Sequence, residues 1–164
     1  DHVTGAGKIA KATGAKIALS AEAKAASVDF PLNDGDEILI GEQKIKVLET
    51  PGHTDSCLCY FLGDRVLTGD TLLIRGSGRT DFQDGSAEKI FRSVREKLFS
   101  LPDETLVYPA HDYRGFTSST IGDEKMHNPK LGRKIDKSSF FKITSEFKLA
   151  KPSNINVTVP ANLN

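Results

Sequence analysis

The chain has 164 residues, 38% of them hydrophobic, which suits one globular domain over residues 1–164 with a hydrophobic core. Its 22 basic residues balance 22 acidic ones, so no net charge attracts nucleic acid or an acidic membrane surface. The two cysteines, Cys57 and Cys59, are too few for a disulfide framework, and their alternation on a predicted strand indicates buried, inert thiols. No apolar run approaches the roughly 20 residues that span a bilayer. We therefore expect a soluble protein from a reducing compartment that binds a small ligand.

Short elements are predicted in the first third of the chain. The glycines within residues 4–14 indicate a short helix that ends at Gly14. A strand at 16–19 and a helical turn at 21–26 are predicted to follow it. A cluster of proline, asparagine, aspartate and glycine at 31–36 predicts a turn. Apolar residues then alternate with polar ones on both sides of residues 41–42, which predicts a β-hairpin.

The rest of the chain mixes strands with helices. Residues 57–62 and 65–68 predict a pair of strands, and residues 105–110 predict one more. Helical spacing and helix-end residues predict three helices, at 86–101, 118–125 and 138–147. Residues 151–164 are predicted to form a mostly extended tail. Strand pairs mixed with covering helices predict a layered α/β fold, with polar loop residues gathered at one sheet edge.

Three of the four histidines stand at the ends of predicted elements, beside glycine, aspartate or proline. These are His2, His53 and His111, and Asp70 follows a strand in a similar turn. A solvated side chain is the alternative for any single loop histidine, but imidazoles together with a carboxylate suit Zn(II), Fe(II) or Mn(II). The pattern predicts a metal site at strand ends. His127, inside a helical stretch, is predicted to be an ordinary surface residue.

A loop rich in glycine and arginine, residues 72–83, follows Asp70 directly. One interpretation is a flexible, solvated loop. The other is that Arg75 or Arg79 pairs with Asp81 and stiffens the wall of the metal site, which metal sites commonly need.

Four short motifs together resemble the ordered metal motifs of the metallo-β-lactamase superfamily. They are Asp1-His2, Thr50-Pro51-Gly52-His53-Thr54, Thr68-Gly69-Asp70 and Pro109-Ala110-His111-Asp112. In that family the first motif is His-x-His-x-Asp-His, so Asp1-His2 resembles its last two residues, and its leading histidines are expected upstream of Asp1. Within the superfamily, segments 72–83, 111–116 and 159–162 are similar to those of the persulfide dioxygenases, also called sulfur dioxygenases.

This resemblance implies a four-layer αβ/βα sandwich whose N-terminal strands are absent from this chain. It also implies one Fe(II) per subunit, held by His53, Asp70 and a histidine upstream, with positions open for a persulfide sulfur and O₂. Asp1, His2 and His111 match superfamily metal ligands that the dioxygenases do not use to hold a second ion, and the resemblance implies that here they tune water and hydrogen bonding around the iron. The implied reaction oxidises glutathione persulfide to sulfite and glutathione.

The resemblance further implies that Thr54, Tyr113 and Lys130 bind glutathione, with Arg79 as an additional substrate-binding candidate. Lys130 departs from the arginine usual in the family, and lysine lacks the planar fork that binds a carboxylate through two hydrogen bonds. The expected partners are glutathione persulfide and O₂, without nucleic acid or a membrane, and a homodimer remains open. The expected location is a bacterial cytoplasm or a mitochondrial matrix.

Two alternatives remain. A dinuclear zinc hydrolase of the hydroxyacylglutathione (glyoxalase II) type would use Asp1, His2, His53, Asp70 and His111, with metal-bound hydroxide attacking a thioester. That family typically adds a larger helical domain after the last histidine motif, and the residues after His111 leave little room for one. The other alternative is a non-catalytic remnant without the leading ligands, which the residues before Asp1 would reveal.

Overall fold

The computed structural model describes residues 2, 4–81, 83–146, 150 and 154–163. The chain forms two compact units. The terminal unit comprises Asp1–Leu32 with Lys148–Asn164, and the central unit comprises Asn33–Phe147. Among the helices in the described ranges, none is long and apolar enough to cross a membrane.

The described residues form both strands and helices, as the predicted α/β class requires. The eight strands are β1 (Ala18–Ser20), β2 (Phe30–Leu32), β3 (Glu37–Ile40), β4 (Gln43–Glu49), β5 (Leu58–Phe61), β6 (Arg65–Gly69), β7 (Leu106–Pro109) and β8 (Ser119–Thr120). The five α-helices are α1 (Ala6–Thr13), α2 (Ala87–Arg92), α3 (Ile121–His127), α4 (Lys137–Glu146) and α5 (Ile155–Leu163).

In the terminal unit, the predicted first helix is confirmed as α1. It ends at Gly14, whose φ of 74° lies in the left-handed region that glycine adopts without steric cost, and whose N–H donates to the Ala10 carbonyl at 2.8 Å. Strands β1 and β2 pair in parallel. The turn predicted at 31–36 therefore begins later, since Pro31 belongs to β2.

The prediction of an extended tail is wrong for residues 155–163, which form α5. Its β-branched residues have weak helix propensity, but propensity is easily overridden by tertiary contacts. Asn162 supplies such contacts, because its side chain accepts from the Thr4 N–H at 3.3 Å and donates to the His2 carbonyl. These contacts join the two ends of the chain, so the tail sequence alone does not reveal them.

The central unit is built on a six-stranded sheet in the order β3-β4-β5-β6-β7-β8. The predicted hairpin is confirmed, since Ile40 of β3 pairs with Gln43 of β4. Strand β5 is antiparallel to both β4 and β6, and β7 is parallel to β6. Strands β4, β6 and β7 consequently point in the same direction, and their carboxyl ends share one edge of the sheet.

The helix predicted at 86–101 is present but irregular. It starts as α2, widens into a π-helical turn at Ser93–Lys97 and closes with a 3₁₀ turn at Leu98–Ser100. Ile90, Val94 and Leu98 are all fully buried. Because these residues recur every four positions rather than every 3.6, a wider turn keeps them on one line against the core.

The core contains buried residues from the sheet, the helices, the loop after β6 and the turn after α3. They are Cys59, Val66, Leu72, Ile90, Val94, Leu98, Val107, Ile121, Leu131 and Phe140. The Phe140 ring of α4 packs on that of Phe91 with centroids 5.5 Å apart. The helix predicted at 118–125 begins later than expected, because residues 119–120 form β8 and the Thr120 hydroxyl then caps α3 by accepting from the Asp123 N–H at 3.0 Å.

Candidate metal centre

Three of the predicted metal-binding residues follow the three strands that run in the same direction. His53 lies in the loop after β4, Asp70 comes directly after β6, and His111 lies two residues after β7. The carboxyl ends of these strands share an edge, and the Ala110 N–H donates to the Gly69 carbonyl at 3.0 Å across it. Strand direction therefore explains why residues far apart in the sequence meet.

The His53 ring is held in one tautomer. Its Nδ1 lies 2.8 Å from the Arg79 carbonyl oxygen, and a carbonyl only accepts hydrogen bonds, so Nδ1 carries the proton. In the neutral ring Nε2 then bears the lone pair, and it lies 3.8 Å from Asp70 Oδ2. The side chain is 8% exposed. This is the usual arrangement of a metal-binding histidine, with one nitrogen anchored and the other directed into the site.

The Asp70 carboxylate is fixed at one oxygen. His111 Nδ1 donates to Asp70 Oδ1 at 2.7 Å, while Oδ2 is the oxygen nearer His53. The turn beneath the carboxylate is held by the buried Thr68 hydroxyl, which donates to the Leu72 carbonyl at 2.7 Å. A buried hydroxyl and a charged hydrogen bond thus set the direction of this carboxylate.

Three glycines allow the loops around the site to approach closely. A Cβ on Gly78 would lie 2.2 Å from the Asp70 carbonyl oxygen and 3.1 Å from His53 Nδ1. A Cβ on Gly85 would lie 2.9 Å from the His53 carbonyl oxygen, and one on Gly52 would lie 2.3 Å from Ile90 of α2. The glycine content of the 72–83 loop is visible in the sequence, but which glycines face a backbone is not.

The predicted pairing of an arginine with Asp81 is present for Arg79. Its Nε and Nη2 donate to the two Asp81 oxygens at 2.6 and 2.7 Å, and these hydrogen bonds raise the pKa of the guanidinium. Arg75 instead donates from Nη1 to Glu124 Oε1 at 2.5 Å. Both arginines therefore stiffen the loop, which argues against a freely flexible segment.

Glu124 was missed by the sequence analysis, although it is a buried carboxylate that contacts this loop. The signal in the sequence that could have revealed Glu124 is its position four residues before Asn128, on a short predicted helix that ends before Pro129. Residues at that spacing share a helix face. The Asn128 side chain donates both to Glu124 Oε2 at 2.8 Å and to the Gly76 carbonyl at 3.0 Å.

The predicted glutathione-binding residues lie in three places. Thr54 adjoins His53, and its hydroxyl lies 3.2 Å from the Cys57 sulfur. Tyr113 is 84% exposed, and its ring is parallel to that of His111 with centroids 6.0 Å apart. Lys130 belongs to the turn after α3, and burial lowers the pKa of its ammonium group. The structure thus brings two of the three beside the predicted ligands.

Asp1 and His2 are the remaining predicted metal positions. His2 belongs to the terminal unit and is exposed, and Asp1 lies outside the described residues. Their metal-tuning roles stay predictions. His127 is exposed, as predicted. Both thiols were expected to be buried, and Cys59 is, whereas Cys57 is partly exposed.

The donor set fits a metal ion of intermediate hardness. One imidazole nitrogen and one carboxylate oxygen face each other, without thiolate, which suits Fe(II) or Zn(II). Within the part of the chain that the structure describes, no three His, Cys, Asp or Glu side chains are grouped to hold a metal. A third ligand upstream of Asp1 stays a prediction.

Residues 1–111 match the metallo-β-lactamase superfamily. The chain belongs to this superfamily. The predicted α/β fold of metallo-β-lactamase type is therefore confirmed, and membership implies metal binding. The crystal structure of a metallo-β-lactamase from Staphylococcus aureus shares the fold, with a TM-score of 0.90 and 24% identity over 99% of this chain and 54% of that chain.

Two relatives from this metallo-β-lactamase superfamily are more similar in sequence. Human "Persulfide dioxygenase ETHE1, mitochondrial" is 42% identical over 165 residues, which cover 99% of this chain and 64% of the human protein. The crystal structure of ETHE1 from Myxococcus xanthus has a TM-score of 0.95 and 45% identity, over 99% of this chain and 71% of that chain. The chain thus spans somewhat under two thirds of its human relative.

Proposed function

We propose that this chain is part of a persulfide dioxygenase that oxidises glutathione persulfide with O₂. In the balanced reaction, the persulfide, O₂ and one water yield glutathione, sulfite and two protons. The observation that carries the proposal is the likeness to persulfide dioxygenase ETHE1 over 99% of the chain. That likeness includes the 72–83 loop, whose backbone contacts both His53 and Asp70.

The metal in this proposal is a single Fe(II), held by His53 Nε2, the Asp70 carboxylate and a histidine expected upstream of Asp1. Bound Fe(II) supplies the electrons that make O₂ reactive, and a site with two histidines and one carboxylate leaves coordination positions for substrate. The Arg79 carbonyl orients His53, and His111 orients Asp70.

Glutathione recognition is assigned to Thr54, Tyr113 and Lys130. The exposed Tyr113 ring beside His111 offers a hydroxyl and an aromatic face next to the site. The ammonium group of Lys130 pairs with a glutathione carboxylate as a point charge. It does not donate the two parallel hydrogen bonds that an arginine guanidinium donates. Arg79 acts chiefly through its carbonyl oxygen, since Asp81 already holds its guanidinium by two hydrogen bonds.

The test is substrate discrimination by the full-length protein. With glutathione persulfide we expect O₂ uptake and an equivalent amount of sulfite, and with reduced glutathione as the control we expect neither. Hydrolysis of a glutathione thioester, without O₂ uptake on the persulfide, would instead identify the dinuclear zinc hydrolase. A protein with neither activity would favour the non-catalytic remnant.

A further inference from the structure

We infer that Glu124, through Arg75, is a positioning residue for the metal ligands His53 and Asp70. Its carboxylate fixes one end of the loop whose other end holds both ligands by backbone hydrogen bonds. The inference rests on the proposed function only in that a metal ion binds at His53 and Asp70. It does not depend on which reaction follows.

Every hydrogen-bonding direction of the Glu124 carboxylate is used, although the residue is fully buried. Oε1 accepts from Arg75 Nη1 at 2.5 Å and from the Ser119 hydroxyl at 2.7 Å. Oε2 accepts from the Arg75 backbone N–H at 2.9 Å and from Asn128 Nδ2 at 2.8 Å. Two carboxylate oxygens offer about four acceptor sites, so this network is complete.

The loop is held in a conformation that it would not otherwise adopt. Arg75 has a φ of 56°, in the left-handed region that non-glycine residues occupy at a cost of about 1 kcal/mol or more. This conformation is fixed by the two hydrogen bonds that Arg75 donates to Glu124. Gly76 is fixed by Asn128 and by paired backbone hydrogen bonds with Leu73 at 3.1 and 3.2 Å.

The metal ligands are attached to the next residues of the same loop. The Gly78 N–H donates to the Asp70 carbonyl at 2.8 Å, and the Arg79 carbonyl accepts from His53 Nδ1 at 2.8 Å. Only residues 76 and 77 separate Arg75 from Gly78. A change in the backbone at Arg75 is therefore carried to both ligands, and His53 loses the contact that selects its tautomer.

The alternative is that Glu124 only stabilises α3. Lys125 provides the matched control, because it is a buried charged residue adjacent in the same helix. It donates to Asp103 at 2.5 Å and to the Leu101 carbonyl at 3.2 Å, both outside the 72–83 loop. Removing the Lys125 charge perturbs the helix but does not alter the hydrogen bonds of Glu124.

Two substitutions test the contact between Glu124 and Arg75, one at each residue. In Glu124→Gln the amide oxygen must take the Oε2 position, which faces two N–H donors, so the amide NH₂ faces the Arg75 guanidinium and that contact is lost. In Arg75→Asn the same guanidinium is removed from the loop, and asparagine tolerates a positive φ. The second variant keeps the test valid if the first does not fold.

The measurements are Co²⁺ affinity of the full-length protein and the His53 tautomer from ¹⁵N NMR of the metal-free protein. We expect both variants to lose about 10-fold in Co²⁺ affinity, the usual effect of disturbing residues around metal ligands, and to shift His53 toward protonation at Nε2. Lys125→Met should match the wild type in both measurements, even if it unfolds at a lower temperature.

Wild-type affinity and tautomer in Glu124→Gln and Arg75→Asn would overturn the inference and leave the proposed function intact. Equal losses of Co²⁺ affinity in Lys125→Met would also overturn it, because the stability of α3 alone would then explain the effect. A wild-type protein that binds no Co²⁺ would overturn the metal site itself, and the proposed function with it.

Discussion

Replacing Gly78 with alanine should damage the metal site more than any other single methyl group in its loop. The new Cβ would lie 2.2 Å from the Asp70 carbonyl oxygen and 3.1 Å from both the Asp70 Cβ and His53 Nδ1. Ordinary van der Waals contact begins near 3.4 Å, so the two backbones must separate by about 1 Å. The Gly78 N–H hydrogen bond to Asp70, now 2.8 Å, would break.

The size of the effect follows from these two changes. Forcing an extra methyl group into a packed site costs about 1–3 kcal/mol, and losing the hydrogen bond adds about 1 kcal/mol. We therefore expect the free energy of unfolding to fall by about 2–4 kcal/mol. Since metal ligands must be held to about 0.5 Å, a shift of about 1 Å should lower metal affinity at least 10-fold.

The assays are urea unfolding followed by circular dichroism and Co²⁺ titration of the folded protein. Gly76→Ala is the control from the same loop, because its Cβ would lie 3.8 Å from the Leu73 Cβ and 4.0 Å from the Ile74 carbonyl oxygen. It should change stability by less than about 0.5 kcal/mol. Wild-type behaviour of Gly78→Ala, or an equal loss in Gly76→Ala, would refute the close-packing argument.

Four further results are expected. His53→Ala should abolish metal retention in elemental analysis, and a retained ion would argue against this ligand. Lys130→Ala should raise the KM for glutathione persulfide about 10-fold with kcat unchanged, since it removes a charged contact. At pH 8 a thiol reagent should modify Cys57 but not Cys59, whose pKa is raised to about 12 by burial, until the protein unfolds. Phe140→Ala should cost about 3–5 kcal/mol in urea unfolding, because the ring is fully buried.

Three of these results have direct counter-outcomes. Lower kcat with unchanged KM in Lys130→Ala would move this residue from substrate binding to another role. Rapid modification of both thiols in the folded protein would contradict the burial of Cys59. For Phe140→Ala, a loss below about 1 kcal/mol would show that the core closes around the missing ring.

Local patterns in the sequence were sufficient for most strands of the central sheet. The hairpin of β3 and β4 is encoded by alternation around a glycine turn, and its register follows from that turn. The prediction of an extended tail failed because Asn162 forms hydrogen bonds with backbone groups at the other end of the chain. Propensity describes a segment alone, whereas this helix depends on a distant one.

The residues of the candidate site likewise divide into those that the sequence reveals and those that only the fold reveals. His53, Asp70 and His111 could be found because short polar motifs at strand ends are visible in a linear sequence. Glu124 could not, because its importance comes from burial and from hydrogen bonds to Arg75, 49 residues away in the chain. Gly78 likewise matters only because a folded backbone passes within contact distance of it.

The most direct test of the proposed mononuclear iron site is the metal content of the full-length protein purified without added metal. Elemental analysis should give about one iron per polypeptide and little zinc. Two zinc ions per polypeptide would contradict the account and would favour the dinuclear zinc hydrolase instead.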